Sequence, residues 1–228
     1  MDNEQFLDRL ELTFTSYAAM KAVNIEDNGE AMVSLNGTGI SHSISEYLTP
    51  STGQELYVRE GLITKLHKAQ EGIAELFDGG TLDVVYGYRS HAVQISKFEE
   101  VKSELRNKHA HISEDELSEN AHKFIASPDV AGHPTGGAVD VRVLDNAGRI
   151  VDMGTHVQQL DRASYVFNTA VSQDVWLNRQ HLRIAMCTAG FAPFDGEWWH
   201  FSYGDREWAA FYRKEKAAYK QLELNFIK

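Results

Sequence analysis

Two short stretches of this chain combine residue types that can hold a metal ion and move a proton. In Ala131-Gly132-His133-Pro134-Thr135-Gly136-Gly137-Ala138-Val139-Asp140, a histidine in a Gly/Pro-rich loop is followed, after six residues, by an aspartate in a predicted strand. Near the C-terminus, Glu197-Trp198-Trp199-His200 adds a second histidine and a further carboxylate. His133, Asp140 and His200 make a ligand set of two neutral nitrogens and one anionic oxygen. Catalytic zinc takes three such ligands, keeps one position for water and moves that water's pKa towards about 7. A carboxylate near the metal but not bound to it can take the water's proton and deliver it to a departing amine, the role expected of Glu197. Arg89, at the end of a predicted strand, is the candidate cation for the negative oxygen of a tetrahedral intermediate. The expected cofactor is Zn2+.

Each stretch alone also has an ordinary reading. A His-x6-Asp spacing arises by chance, and a Trp-Trp-His strand can be core with one satisfied histidine. The glycine loop does not read as a phosphate cradle, because it leads into a strand and lacks the helix N-terminus that binds anions. A regular strand through Glu197 and His200 would point the two side chains to opposite faces. Hydrolytic chemistry therefore requires a turn or bulge at Gly196-Glu197.

The elements that must position these residues follow from periodicity. Phe6, Leu10, Phe14 and Tyr17 predict a helix over 4–22, and residues 25–53 read as loops around one short strand, 31–35. A helix is expected over 55–77, from Val58, Leu62, Leu66, Ala69, Ile73 and Leu76, closed by Asp78-Gly79-Gly80. A strand rich in β-branched and aromatic residues follows over 81–89. Polar helices are expected over 93–108 and 114–126, the second opened by a capping box at Ser113 and Glu116. His109, His111 and His122 in this region read as solvated surface. Valines 139, 141 and 143 alternate with Asp140 and Arg142, and Asp145-Asn146-Ala147-Gly148 turns the chain into a hairpin ending near Met153. A helix over 173–189, with Val175, Leu177, Leu182, Ala185 and Met186 for the core, a strand over 197–203 and a terminal helix carrying Trp208, Phe211, Tyr212 and Tyr219 complete the reading. Strands and helices mix without βαβ alternation, so the fold class is α+β.

Composition narrows the function classes. With 228 residues, 43% hydrophobic and 24% charged, the chain is expected to form a single domain over 1–228. A net charge of -11 argues against nucleic acid as a partner, since that binding relies on clustered cations. No run approaches the roughly 20 apolar residues that a membrane helix needs, so no membrane partner is expected. The acidic first thirty residues lack a signal-peptide pattern, and the expected location is cytoplasmic. The one cysteine, Cys187, excludes an internal disulfide and reads as a buried helix residue.

Taken together, Gly132-His133-x-x-Gly136-x-Ala138-Val139-Asp140, Gly87-Tyr88-Arg89, Asp152-Met153-Gly154-Thr155 and Ala189-Gly190-Phe191 leading to Glu197-Trp198-Trp199-His200 resemble the zinc D-alanyl-D-alanine dipeptidases of the VanX type. The resemblance spans about residues 55–203; residues 1–54 match poorly. It implies a small zinc-peptidase fold, a central, mainly antiparallel sheet with flanking helices. It also implies zinc on His133, Asp140 and His200, Glu197 as general base and acid, and Arg89 beside the scissile carbonyl. The implied activity is hydrolysis of D-alanyl-D-alanine or a related D,D-dipeptide. Two other readings stand beside it: a D,D-carboxypeptidase or endopeptidase on peptidoglycan fragments, and a non-catalytic zinc-stabilised binding module. The chain departs from the family pattern at Ala131, where a serine is usual, and at Gln158, where the family has an aspartate that helps hold the dipeptide's ammonium. Gln158 is thus the candidate substrate-binding residue.

Overall fold

Alternation of valines with polar residues builds the sheet on which the site stands. The computed structural model describes residues 2–45, 52–108 and 111–224; His109 lies outside them. In chain order the elements are α1 (Asn3–Glu11), α2 (Tyr17–Ala22), β1 (Asn24–Ile25), β2 (Met32–Ser34), β3 (Tyr57–Arg59), α3 (Gly61–Leu76), β4 (Thr81–Tyr86), α4 (His91–Lys108), α5 (Glu114–His122), β5 (Ala138–Leu144), α6 (Gln173–Thr188), β6 (Ala192–Pro193), β7 (His200–Ser202), α7 (Arg206–Phe211) and β8 (Lys216–Ala217). The main sheet is antiparallel throughout, in the order β4-β5-β7-β6, and two small pairs, antiparallel β2-β3 and parallel β1-β8, lie beside it. The architecture is α+β with a small antiparallel sheet, as the patterning predicts.

Because strand side chains alternate, β5 has two chemically different faces. Val139, Val141 and Val143 are fully buried against Leu62, Leu66, Ala69 and Ile73 of α3 and Leu182, Ala185 and Met186 of α6. The opposite face carries Asp140 and Arg142. Arg142 is paired with buried Asp83 of β4 at 2.9 Å, so that face too is withdrawn from water but held by charge.

Several sequence expectations are corrected. The helix expected over 4–22 is two helices, because Ser16 caps α2 by accepting from Ala19 N–H while the Thr13 hydroxyl turns back to Leu10 O. The helix expected from residue 55 begins at Gly61. Tyr57–Arg59 instead pairs with β2, and Arg59 is buried and committed to the carbonyls of Thr135, Glu30 and Lys220. The second polar helix stops at His122, and that histidine is buried, accepting from Ser127 N–H, not solvated. Leu177 is 37% exposed on α6 and adds little to the core. The terminal helix ends at Phe211, and Tyr219 is a buried residue just past β8. No helix among the described residues is long and apolar enough to cross a membrane.

Candidate metal centre and active-site cavity

The sheet register brings the first two candidate ligands together. Asp140 of β5 lies directly opposite His200 of β7, and cross-strand partners place their side chains on one face at close range. His133 arrives from a short 3₁₀ turn, His133–Thr135, just before β5, with Gly136 in the left-handed region at φ 74° ending the turn. Gly132 allows that turn to sit where it does. A Cβ there would lie 2.1 Å from Asp205 Oδ2 and 3.1 Å from Ser202 Oγ.

Hydrogen bonds fix which nitrogen each imidazole offers. His133 Nδ1 lies 2.8 Å from Gly87 O; a carbonyl only accepts, so Nδ1 carries the proton and Nε2 keeps its lone pair. His200 Nε2 faces Glu207 Oε2 at 3.2 Å, leaving Nδ1 for the centre. The two free nitrogens converge on one oxygen, with Asp140 Oδ1 3.3 Å from His133 Nε2 and 3.1 Å from His200 Nδ1. Ligand atoms of the three residues all lie within 4.8 Å of one another, and among the described residues this is the one such group. Two imidazole nitrogens and a carboxylate oxygen, each with its second polar atom already committed, fit zinc.

Burial and mutual charge set the titration of the group. Burial acts to raise Asp140, but the neighbouring His133 and His200 outweigh it and hold the carboxyl well below the usual range. Burial drives His133 down to about 4, against the pull of Asp140. For His200 burial again disfavours charge, yet its hydrogen bonds to Asp140 and Glu207 push it well above the ordinary histidine value.

Glu197 sits in the turn that hydrolytic chemistry requires. β7 begins only at His200, Glu197 N–H donates to Phe194 O at 3.0 Å, and His200 N–H donates to Glu197 O at 3.2 Å. The Trp198 indole donates to Thr155 Oγ1 at 2.8 Å, and Trp199 is fully buried, so the turn is anchored on both sides. The Glu197 carboxyl is pushed up to about 8, first by burial and then by the charges of Asp140 and Glu207.

Arg89 lies three residues past β4 and is 3% exposed. Its Nη1 donates to Gln94 Oε1 at 2.8 Å and its guanidinium lies over the Tyr86 ring at 4.9 Å, while Nε has no partner among the described residues. No carboxylate pairs with it among the described residues, which leaves a buried cation with donor capacity to spare.

Arg89, His133, Glu197, His200 and Gln158 line one cavity, whose far wall comes from the N-terminal segment through Phe14, Thr15, Ser16 and Met20. Phe14 packs edge-on against Phe194, which in turn packs on His200. Gln158 reaches the centre because its backbone adopts φ 68°, and its Nε2 donates to Asp140 Oδ2 at 3.0 Å. Its loop is tied down by Arg179, which is buried and donates to the carbonyls of Met153, Tyr165 and Ala163. Ala131 also lines the cavity and is buried.

Sequence reasoning misses Glu207 and Lys97. Glu207 opens α7 seven residues after His200, in the first turn after the Asp205 cap, and an acidic residue there reads simply as helix-dipole complementarity. Lys97 sits on a polar helix among exposed charges, and its Nζ turns inward to Gln158 Oε1 at 3.4 Å. Cys187 lies partly buried in α6, and burial pushes its thiol up to about 11, against a nucleophilic role.

Comparison with known proteins identifies the family. Residues 52–222 match the family model described as D-ala-D-ala dipeptidase, Peptidase M15. A D-alanyl-D-alanine dipeptidase of Synechocystis sp. is 27% identical over 229 residues, covering 88% of this chain and 93% of that protein. The D-alanyl-D-alanine dipeptidase of Escherichia coli strain K12 is 32% identical over 71 residues, 31% of this chain and 37% of that protein. Among solved structures, a VanY D,D-pentapeptidase variant in complex with Zn(II) aligns over 87% of this chain and 96% of its own, with 16% identity and a TM-score of 0.46. With three-quarters of its length matching one family model, the chain belongs to the D-ala-D-ala dipeptidase family of metallopeptidases.

Proposed function

We propose that this protein hydrolyses D-alanyl-D-alanine or a related D,D-dipeptide at a zinc centre held by His133, Asp140 and His200. The convergence of those three residues, beside a buried Glu197 whose carboxyl has no ion-pair partner among the described residues, carries the reading. Zinc bound there supplies a Lewis acid that polarises a carbonyl and acidifies water. Glu197 takes the proton from the attacking water and hands it to the departing amine nitrogen as the C–N bond breaks. Arg89, whose Nε has no partner among the described residues, receives the negative charge that develops on the scissile carbonyl oxygen. Glu207 orients His200, and Gln158 holds the remaining oxygen of Asp140.

A purely structural role for the metal accounts for neither the buried Glu197 nor the unpaired Arg89. The carboxypeptidase reading has one observation in its favour. A second groove, lined by Lys97, Glu100, Val101, Phe124 and Ile125, meets the cavity at Gln158 and Leu160 and offers room for a longer peptide. Zinc-loaded protein assayed on D-alanyl-D-alanine, related dipeptides and peptidoglycan stem peptides separates the two by which substrate releases amino acid. The dipeptides are expected to be cleaved, with Glu197→Ala slower by at least about 10² to 10⁴. Cleavage of none of these substrates, or a Glu197→Ala rate equal to wild type, contradicts the proposal.

A further inference from the structure

Beyond the residues that the hydrolytic reading uses, one charged group of the adjoining groove is linked to the centre through Gln158 and has no task. Lys97 is half-buried on α4, and among the described residues no carboxylate pairs with it. Its ammonium has three donors, and the one hydrogen bond it makes is to neutral Gln158 Oε1 at 3.4 Å. The orientation of that amide is settled from both ends, because Nε2 must donate to the Asp140 carboxylate while Oε1 accepts from Lys97. Lys97 therefore stands two hydrogen bonds from the metal-ligating oxygen pair, at the point where Gln158 joins the cavity to the groove along α4. Burial and the nearby positive charge of Arg89 both disfavour its charge, with Asp140, Glu100 and Glu197 pulling the other way.

A half-buried cation beside a second unpaired cation lacks a counter-ion, and both repel a substrate ammonium. A carboxylate in that place satisfies the free donors of Lys97 and its charge together. We propose that Lys97, oriented by Gln158, anchors a carboxylate of the substrate, so that this enzyme selects peptides bearing an anionic group one residue from the bond it cleaves. This rests on the hydrolytic reading for the identity of the ligand as a peptide. Two carboxylates meet the description: the free C-terminus of the leaving residue, and an acidic acyl group on the amine side of the scissile bond.

The test compares D-alanyl-D-alanine, its C-terminal amide, and the N-succinyl form of that amide. Calorimetric binding is measured on zinc-loaded full-length Glu197→Gln protein, with Lys97 intact, as Lys97→Met and as Lys97→Arg. Turnover of the same compounds by zinc-loaded protein with Glu197 in place is followed in parallel. Lys97→Met is expected to weaken binding of the carboxylate-bearing compounds about ten- to hundredfold, to leave the neutral-ended amide unchanged, and to raise KM with little effect on kcat. Lys97→Arg is expected to restore most of the binding. Loss confined to D-alanyl-D-alanine assigns the C-terminal carboxylate; loss confined to the succinyl compound assigns the amine side. Equal binding of all three compounds with and without Lys97, an equal loss for all three, or binding of none overturns the anchor. A Lys97-dependent preference in binding, with no compound cleaved when Glu197 is present, instead overturns the hydrolytic reading and leaves the anchor standing.

Discussion

A carboxyl group that is buried without a counter-ion costs stability whenever the solvent pH would ionise it, and Glu197 is in that position in the metal-free protein. Its pKa of about 8 in the fold lies above the ordinary value of about 4.3. The unfolded chain therefore loses this proton first, and the contribution of Glu197 to stability falls as pH rises between those values and is flat above them. Glu197→Gln should accordingly stabilise the metal-free protein. The gain is absent at pH 4, grows to about pH 8 and is then constant; urea unfolding of both proteins across that range reads it, and a gain independent of pH contradicts the burial argument. Glu207 acts one bond further out. Removing its carboxylate by Glu207→Gln weakens the hold on the His200 tautomer and is expected to lower zinc affinity about 10- to 100-fold, read by competition with a chelator. The candidate ligand set was legible in the sequence because two histidines and two carboxylates with glycine and tryptophan neighbours form a rare combination. Glu207 and Lys97 were not, since a lone acid in a first helical turn and a lysine on a polar helix are what ordinary solvated helices carry.

At the scale of elements, the site depends on the β5–β7 register and on a turn where the space beside Gly132 is taken by Asp205. The pairing of Asp140 with His200 means that a slip of one residue would turn both ligands away from the site. Gly132→Ala drives a methyl group into Asp205 Oδ2, which lies 2.1 Å from the ideal Cβ position. The expected cost is about 1–3 kcal/mol, measured as a lowered urea midpoint, with weaker zinc binding because His133 follows directly. The alternation of valines made β5 readable, and the helical stripes of α3 and α6 were readable for the same reason. The break between α1 and α2, and the strand at Tyr57–Arg59, escaped detection because apolar spacing alone does not register a serine cap or the buried hydrogen bonds of Arg59.

Across the whole molecule, the N-terminal segment that resembles the family least supplies a wall of the cavity, with Phe14 packed edge-on against Phe194 beside His200. Tertiary placement of this kind leaves no mark in local periodicity, and so the role of the first thirty residues was invisible in the sequence while the centre they enclose was not. Charge ties the molecule's parts together at the centre. His200 is held well above its ordinary pKa by Asp140 and Glu207, so in metal-free protein its proton stabilises the fold fully below about pH 6.5 and ever less as pH climbs through the raised value. Zinc must displace that proton, and its affinity should therefore fall as the solution is acidified. The most direct test of the account is a zinc titration of chelator-stripped protein, with D-alanyl-D-alanine cleavage followed at each addition. Activity should be absent at the start and rise linearly to a plateau at one zinc per chain, and Asp140→Ala should show neither the tight binding nor the rise. Cleavage that survives the chelator, or an Asp140→Ala protein that binds zinc and cleaves as wild type does, would contradict it.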